Sequence, residues 1–199
     1  MKKSQIFLKR TFDITLSISI ILMVFPIIFI SWLVSTIETK SNGFFLQRRI
    51  GQNGRMFSII KIKTMKPIGK YENRSSITSE NSQLITKSGH FFRKYKIDEL
   101  PQLINVLIGD MSFVGPRPDV PGYADKLIGD DRIILKLKPG ITGPASIKYK
   151  NEEILLKEKS NPKEYNDLVI WPDKVRINKE YYLKYSFFAD IKYIAHTLR

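Results

Sequence analysis

The chain contains no cysteine and only two histidines, His90 and His196. The absence of cysteine excludes a disulfide framework, a thiolate nucleophile and a cysteine-ligated metal site. With no thiolate and two imidazoles, a zinc site is not expected. Any bound metal ion would take oxygen ligands, as Mg²⁺ does. The lack of cysteine is compatible with a reducing compartment.

Acidic residues are also scarce. The 199 residues include 19 Asp and Glu against 33 Lys and Arg, which gives a formal charge of +14. This balance favours anionic partners, namely acidic lipid headgroups, phosphorylated substrates or nucleic acid. The sequence has no P-loop, no G-x-G-x-x-G, no H-E-x-x-H and no recognised nucleic-acid motif, so we expect no nucleic-acid partner. The length allows one domain, or one domain plus an anchor.

One long apolar run is present, from Ile14 to Ile37, and it contains no charged residue. It is long enough for a bilayer span of about 20 residues. Pro26 lies near its centre, and basic residues flank both ends, whereas a spanning helix usually has them on one side. Two interpretations stay open: a helix that bends at Pro26 and returns to the cytoplasmic face, or a transmembrane helix that tolerates the proline. We predict a membrane anchor over 1–40 and a cytoplasmic domain over 41–199.

The rest of the chain predicts an α+β fold that is predominantly helical, with surface amphipathic helices. Asn53-Gly54 lies between two β-rich runs and predicts a small β-hairpin within 44–65. The polar stretch 66–83 predicts an exposed loop. The last segment, 186–199, predicts a helix with one apolar face, which suits either a core or a membrane surface. Helical patterning also occurs over 87–95, 123–137, 151–160, 162–169 and 173–184.

Two adjacent carboxylates, Asp98 and Glu99, precede apolar residues at helical spacing from Leu100 to Ile108. Asp is a favoured N-cap, so this pattern places both carboxylates at a helix N-terminus. An ionised Asp98 there is able to attack phosphorus, and Glu99 is able to hold Mg²⁺ or to manage a proton. The alternative is ordinary helix capping without catalysis.

Arg117 stands between Pro116 and Pro118. Two prolines fix the backbone around one guanidinium, which suits a bidentate phosphate clamp. The alternative is a rigid surface turn in which Arg117 pairs with a neighbouring carboxylate, Asp110 or Asp119. Three further basic residues are candidates for additional phosphate contacts: Arg93, Lys61 and Lys63. The alternative for each is a solvated surface charge.

Taken in order, several segments carry a resemblance: KRTFD before the apolar run, FFLQRRIGQNGRMFSIIKIKTM, TKSGHFFR, DELPQLINVLIGDMSFVGPRP and KPGITG. Over roughly residues 9 to 146 the chain resembles the bacterial sugar transferase family, the monotopic phosphoglycosyl transferases. The resemblance implies transfer of a phospho-sugar from a UDP-sugar to polyprenyl (undecaprenyl) phosphate, with release of UMP. It also implies a role in starting the synthesis of surface glycans or glycoproteins.

The resemblance implies roles for individual residues. Asp98 would be the nucleophile that takes the phospho-sugar covalently, and Glu99 would be its partner near Mg²⁺. Arg117 would bind substrate phosphate. Pro26 would form the bend of a re-entrant helix whose two ends stay cytoplasmic. The chain would then be monotopic on the cytoplasmic face of the bacterial inner (plasma) membrane, in contact with lipid.

The chain departs from the family pattern at three places. Lys63 stands where an arginine is common, and Asp119-Val120 stands where Glu-Leu is common. Residues 145–149 replace a Gln-x-x-Gly-Arg pattern, which leaves the identity of the sugar open. The competing hypothesis is a non-enzymatic membrane adaptor that binds acidic lipid or a partner protein through its basic surface.

Overall fold

The computed structural model describes residues 1–66 and 84–197. The predicted loop at 66–83 therefore lies, apart from Lys66, outside the described residues, as do the last two residues of the chain. The described residues are predominantly helical with short strands, which confirms the predicted α+β class. In chain order the helices and strands are α1 (Lys3–Thr39), β1 (Phe44–Ile50), β2 (Met56–Ile62), α2 (Lys87–Lys94), α3 (Gln102–Ile108), β3 (Ser112–Val114), β4 (Gly140–Thr142), α4 (Pro144–Lys148), α5 (Glu152–Lys157), α6 (Pro162–Tyr165), α7 (Trp171–Leu183) and α8 (Phe187–Thr197).

The apolar run forms a single helix, α1, which continues through Pro26 and has 37 residues. At 1.5 Å per residue it is about 55 Å long. It is the one helix of the described residues that is long and apolar enough to cross a membrane. Many of its large apolar side chains are exposed, among them Leu22 at 74% and Met23 at 75%. Lipid is the solvent in which such exposure costs little. The bend at Pro26 stays a prediction.

The predicted hairpin is confirmed. β1 and β2 form a two-stranded sheet joined by the turn Gln52–Gly54. Asn53 and Gly54 have φ angles of 57° and 77°. Both lie in the left-handed region, which asparagine and glycine adopt more readily than other residues. The Asn-Gly signal was therefore read correctly from the sequence.

The chain divides into two compact units. We call the first the Asp98 unit; it comprises Ser17–Gln47 and Ser58–Asn105. We call the second the Arg117 unit; it comprises Met1–Leu16, Arg48–Phe57 and Val106–Arg199. α1 contributes to both. The predicted boundary between a membrane anchor and a cytoplasmic domain at residue 40 concerns the membrane and stays a prediction.

In the Asp98 unit the last turns of α1 pack on the start of the hairpin. The hydroxyl of Ser35, which is fully buried, donates to the carbonyl of Lys63 at 2.6 Å. The Lys63 N–H in turn donates to the carbonyl of Gly43 at 2.7 Å. Gly43 lies so close to α1 that a Cβ would overlap the carbonyl oxygen of Trp32. The far end of α1 is thus fixed by polar contacts and by one close backbone approach.

In the Arg117 unit the first turns of α1 carry three charged residues with buried partners. Lys9 pairs with Asp190 of α8 at 2.6 Å. Arg10 donates to the carbonyls of Val106 and Leu107 at 2.6 and 2.7 Å, which supplies donors to the unsatisfied end of α3. Asp13 accepts two hydrogen bonds from β3, from the Ser112 hydroxyl and the Phe113 N–H, both at 3.1 Å.

Two strands were not predicted. β3 and β4 pair in parallel, with Ser112 opposite Gly140 and Val114 opposite Thr142. Strands of three residues are too short to give a readable alternation, and a parallel pair has no turn signal between its partners.

The prediction of a helix over 123–137 was wrong. The structure has two 3-10 segments instead, Ala124–Lys126 and Gly129–Lys136. Gly129 has a φ angle of +55°, which a continuous helix does not allow. The other predicted helices are present with shifted ends, and a π-helical turn, Asn166–Ile170, joins α6 to α7.

Candidate active site

Asp98 does not cap a helix, contrary to the prediction. It lies in the 3-10 turn Ile97–Glu99, and α3 begins only at Gln102. Lys96 precedes the turn with a φ angle of 56° and so separates it from α2. Pro101 has no N–H to donate, and prolines favour the start of a helix, so regular α-helix follows it. The two carboxylates are therefore held by a tight turn rather than by a helix N-terminus.

Asp98 is a buried carboxylate with an unmatched acceptor. It is 9% exposed, and its Oδ1 has no hydrogen-bond partner among the described residues. Burial raises the pKa of Asp98, and the negative charge of Glu99 raises it further, whereas Lys61, Lys96 and Arg93 lower it. An acceptor oxygen buried without a donor is costly unless a ligand satisfies it.

Glu99 is matched within the protein. Lys61, near the end of β2, donates to Glu99 Oε1 at 3.0 Å, and both side chains are partly exposed. The structure therefore brings Lys61 to the carboxylate pair, as an ion-pair partner of Glu99. Because Lys61 compensates one charge of the pair, the uncompensated carboxylate oxygen is the one on Asp98.

The other two basic residues predicted for the site, Arg93 and Lys63, make different contacts within the Asp98 unit. Arg93 of α2 donates from Nε to the Thr64 hydroxyl at 2.8 Å, and its charge acts on Asp98. Lys63 donates to the Ser41 hydroxyl at 2.9 Å. The structure thus brings Arg93 to the Asp98 site, and it directs at least one contact of Lys63 elsewhere.

Sequence reasoning missed Asn105, which fixes β2 against α3. Its side chain is fully buried; Oδ1 accepts from the Ile60 N–H at 3.0 Å, and Nδ2 donates to the Ser58 carbonyl at 2.8 Å. These bonds hold the strand that presents Lys61 to Glu99. A polar residue inside the apolar pattern of α3 was the available signal.

The donor set fits Mg²⁺ with few protein ligands. Asp98 offers an unsatisfied buried oxygen beside Glu99. Across residues 1–66 and 84–197 no cluster of three or more His, Cys, Asp or Glu residues is present. Mg²⁺ is commonly bound by one or two carboxylates together with substrate phosphates and water. A site of this kind would be completed by a phosphate-bearing substrate.

Arg117 is an exposed side chain on a rigid loop of the Arg117 unit. The Gly115 N–H donates to the Thr142 carbonyl at 2.9 Å, and the Gly140 N–H donates to the Pro116 carbonyl at 2.7 Å. Within the described parts of the chain, none of the ion pairs includes Arg117, so the predicted alternative of a paired surface arginine is not observed. A second arginine, Arg49, was missed; it donates to the Pro118 carbonyl at 3.2 Å.

The sequence of this chain is similar to those of several known proteins. The sequence pattern of the family described as bacterial sugar transferase matches residues 4–199. The undecaprenyl-phosphate galactose phosphotransferase of Salmonella typhimurium is 36% identical over 165 residues, which is 76% of this chain and 34% of that protein. The UDP-glucose:undecaprenyl-phosphate glucose-1-phosphate transferase of Escherichia coli is 34% identical over 196 residues, 96% of this chain and 39% of that protein.

The chain thus spans about a third of the length of several curated relatives. A relative of similar size is the uncharacterized sugar transferase EpsL of Bacillus subtilis, which is 34% identical over 192 residues, 96% of this chain and 86% of that protein. Because the family pattern covers nearly the whole sequence, the chain belongs to the bacterial sugar transferase family.

Proposed function

We propose that this protein transfers a sugar 1-phosphate from a UDP-sugar to undecaprenyl phosphate and releases UMP. The observation that carries the proposal is the buried Asp98, whose Oδ1 lacks a donor beside the Lys61–Glu99 ion pair. The names of several relatives, which describe undecaprenyl-phosphate sugar phosphotransferases, support the same reaction class.

The reaction proceeds in two displacements at phosphorus. In the first, an oxygen of the Asp98 carboxylate forms a bond to the phosphorus that carries the sugar, and the bond from this phosphorus to the bridging oxygen breaks. UMP leaves with the electron pair of that bond. In the second, a phosphate oxygen of undecaprenyl phosphate attacks the same phosphorus, and the Asp98 carboxylate is released. The product is an undecaprenyl-diphosphate sugar.

The other candidate residues have defined tasks in this scheme. Mg²⁺, held by Asp98 and Glu99, would neutralise the diphosphate of the donor. Lys61 fixes Glu99, and the Arg93 charge favours the ionised form of Asp98. Arg117, with its backbone fixed by Pro116 and Pro118, would bind a substrate phosphate through its fork of donors. We also propose an additional phosphate contact for Lys63, which is partly exposed.

We propose a monotopic placement on the cytoplasmic face, with both ends of α1 on the same side of the membrane. The first turns of α1 are bonded within the unit that carries Arg117, and its last turns within the unit that carries Asp98. Basic residues flank the apolar run at both ends, which favours the same side of the membrane for the two ends of α1. A re-entrant path that bends near Pro26 satisfies this condition, and a simple span does not.

The test is a transfer assay with the protein in lipid nanodiscs, Mg²⁺, undecaprenyl phosphate and a panel of UDP-sugars that includes UDP-glucose and UDP-galactose. We expect one donor to release UMP, and Asp98→Asn to abolish release while membrane association persists. Asp130→Asn is the matched control, because it makes the same change at an exposed carboxylate. Without acceptor, the intact protein should gain the mass of one sugar phosphate, and Asp98→Asn should gain none.

Two results would reject the proposal. Release of UMP by Asp98→Asn at the wild-type rate would reject Asp98 as the nucleophile. Absence of UMP release across the panel, with the folded protein still bound to the membrane, would favour the non-enzymatic adaptor.

A further inference from the structure

The loop that follows Arg117 is held by two successive residues of β1. Arg49 donates from Nη1 to the Pro118 carbonyl at 3.2 Å, and the next residue, Ile50, donates its N–H to the Asp119 carbonyl at 2.9 Å. Pro118 is buried. The loop therefore has a fixed backbone on the side that leads away from the exposed guanidinium of Arg117.

The side chain of Asp119 lies among charges from several elements of the same unit. The positive charges that act on it belong to Lys174 of α7, Arg49 of β1 and Arg117 of its own loop, and the negative charge belongs to Glu152 of α5. The hydroxyl of Tyr123 donates to Asp167 at 2.8 Å, which raises the pKa of Tyr123, and the charge of Asp119 adds to the rise.

The charge of Lys174 is already matched, because its Nζ lies 2.7 and 2.6 Å from the two carboxylate oxygens of Glu152. Arg49 is engaged with the Pro118 carbonyl. Arg117 is exposed and has no ion pair among the described residues. Of the three cations around Asp119, Arg117 is thus the one placed to bind an external anion.

We propose that Arg49 and Asp119 are positioning residues for Arg117: Arg49 fixes the loop backbone, and the charge of Asp119 sets how strongly Arg117 holds an anion. Asp119 lies two residues after Arg117 in the same fixed loop, so its ionised carboxylate offsets part of the attraction of the guanidinium for phosphate, and its protonated carboxyl does not. The identification of that anion as the donor diphosphate rests on the proposed function.

This arrangement makes anion binding depend on pH in a defined direction. Burial raises the pKa of Asp119 to about 6. Below that pH the carboxyl is neutral and binding is strong; above it the carboxylate is ionised and binding weakens. A bound anion raises the pKa of Asp119 further, so proton and anion bind with positive coupling.

Sulfate is the probe, because its charge does not change over the pH range and it needs no sugar. We would follow the Nε–H resonance of Arg117 in protein with ¹⁵N-labelled arginine, in detergent micelles at constant ionic strength, and identify that resonance by its loss in Arg117→Lys. The wild-type affinity for sulfate should weaken roughly three- to tenfold between about pH 5 and about pH 7.5, from one new charge roughly 6–12 Å from the divalent anion at an effective dielectric constant near that of water, about 80.

The variants separate the two roles. Asp119→Asn should bind sulfate equally well at both pH values, Asp119→Glu should keep the pH dependence, and the exposed control Asp130→Asn should behave as wild type. Arg49→Met should shift the Arg117 resonance and weaken binding by the same factor at both pH values.

A wild-type pH dependence in Asp119→Asn would overturn the role of Asp119. An unchanged resonance and affinity in Arg49→Met would overturn the role of Arg49. Sulfate binding requires no turnover. If the transfer assay fails while the predicted sulfate-binding results are obtained, only the proposed function is rejected.

Discussion

The ion pair between Lys9 and Asp190 should dominate the stability of the Arg117 unit. Lys9 is 9% exposed and Asp190 is 1% exposed, and their charged atoms lie 2.6 Å apart. Asp190 also accepts hydrogen bonds from the Tyr181 and Tyr185 hydroxyls, at 2.6 and 3.3 Å. Burial raises the pKa of both tyrosines, and the charge of Asp190 adds to the rise, so the two hydroxyls stay protonated and continue to donate.

Removal of either charge leaves the other buried without compensation. We expect Lys9→Met and Asp190→Asn each to lower the free energy of unfolding by about 3–5 kcal/mol. The double variant leaves no unpaired charge and should cost no more than a single one. The coupling energy of the double-mutant cycle should then be at least about 3 kcal/mol.

An exposed pair with the same N–O distance provides the control. Arg176 and Glu180 on α7 are also 2.6 Å apart, but their side chains are 57% and 52% exposed. Their coupling should be about 0.3–0.5 kcal/mol and should fall as salt is added, whereas the buried coupling should not. Arg176 also pairs with Asp173 at 2.7 Å, as Asp190 also accepts from two tyrosines, so the coupling energy of each cycle, rather than the single losses, is the quantity to compare.

The assay is equilibrium unfolding in detergent micelles, followed by the fluorescence of Trp171 in a Trp32→Phe background, because Trp171 belongs to the same unit as both pairs. A buried coupling no larger than that of the exposed pair would refute the reasoning. So would a double variant whose loss equals the sum of the two single losses.

Three further predictions concern other parts of the chain. Burial raises the pKa of Asp119 from 3.8 to about 6, so the free energy of unfolding of the wild type should fall as pH rises across that window. In denaturant titrations, Asp119→Asn should be more stable than the wild type at neutral pH by up to about 3 kcal/mol, and the two should not differ below about pH 4. Gly115→Ala should lower the free energy of unfolding by at least about 2 kcal/mol because the new Cβ overlaps a backbone carbonyl, whereas Gly129→Ala, at a φ of +55° in open space, should cost about 1 kcal/mol. The chain has no native cysteine, so single cysteines in place of Ser4 and Arg48 report the two ends of α1. Both should react with a membrane-impermeant maleimide in inside-out vesicles and not in intact cells. If one cysteine reacts only in vesicles and the other only in intact cells, a re-entrant anchor is excluded.

Features with a local signal were predicted from the sequence. The hairpin follows from Asn53-Gly54, whose positive φ angles match the residue types. The helix of the apolar run follows from its length and composition, and α2 from the pattern after Thr86, which accepts from the Gly89 N–H as an N-cap at 3.0 Å. In each case the interactions that decide the structure lie within a few residues of one another.

Features that depend on distant partners were not predicted. The turn that holds Asp98 differs from a helix N-terminus because Lys96 takes a left-handed conformation, which no short-range pattern indicated. Asn105 acts on β2, 45 residues away in sequence at Ile60. Arg49 acts on Pro118 at a separation of 69 residues. Composition and spacing identify such residues as polar or charged, but only the fold supplies their partners.

The contacts of α1 with the rest of the protein also depend on partners that are distant in sequence. They show which interactions fix an apolar helix in one position. Its exposed side carries large apolar residues such as Leu22 and Met23, and its buried side carries small or polar ones such as Asp13, Ser17 and Ser35. Next to lipid, apolar contacts do not distinguish protein from solvent, so hydrophobicity alone does not fix the helix in place. The hydrogen bonds that Asp13 accepts and Ser35 donates, together with the close approach of Gly43, supply the specificity. Polar residues inside an apolar run therefore mark the face that meets the protein, the reverse of the pattern in a soluble amphipathic helix.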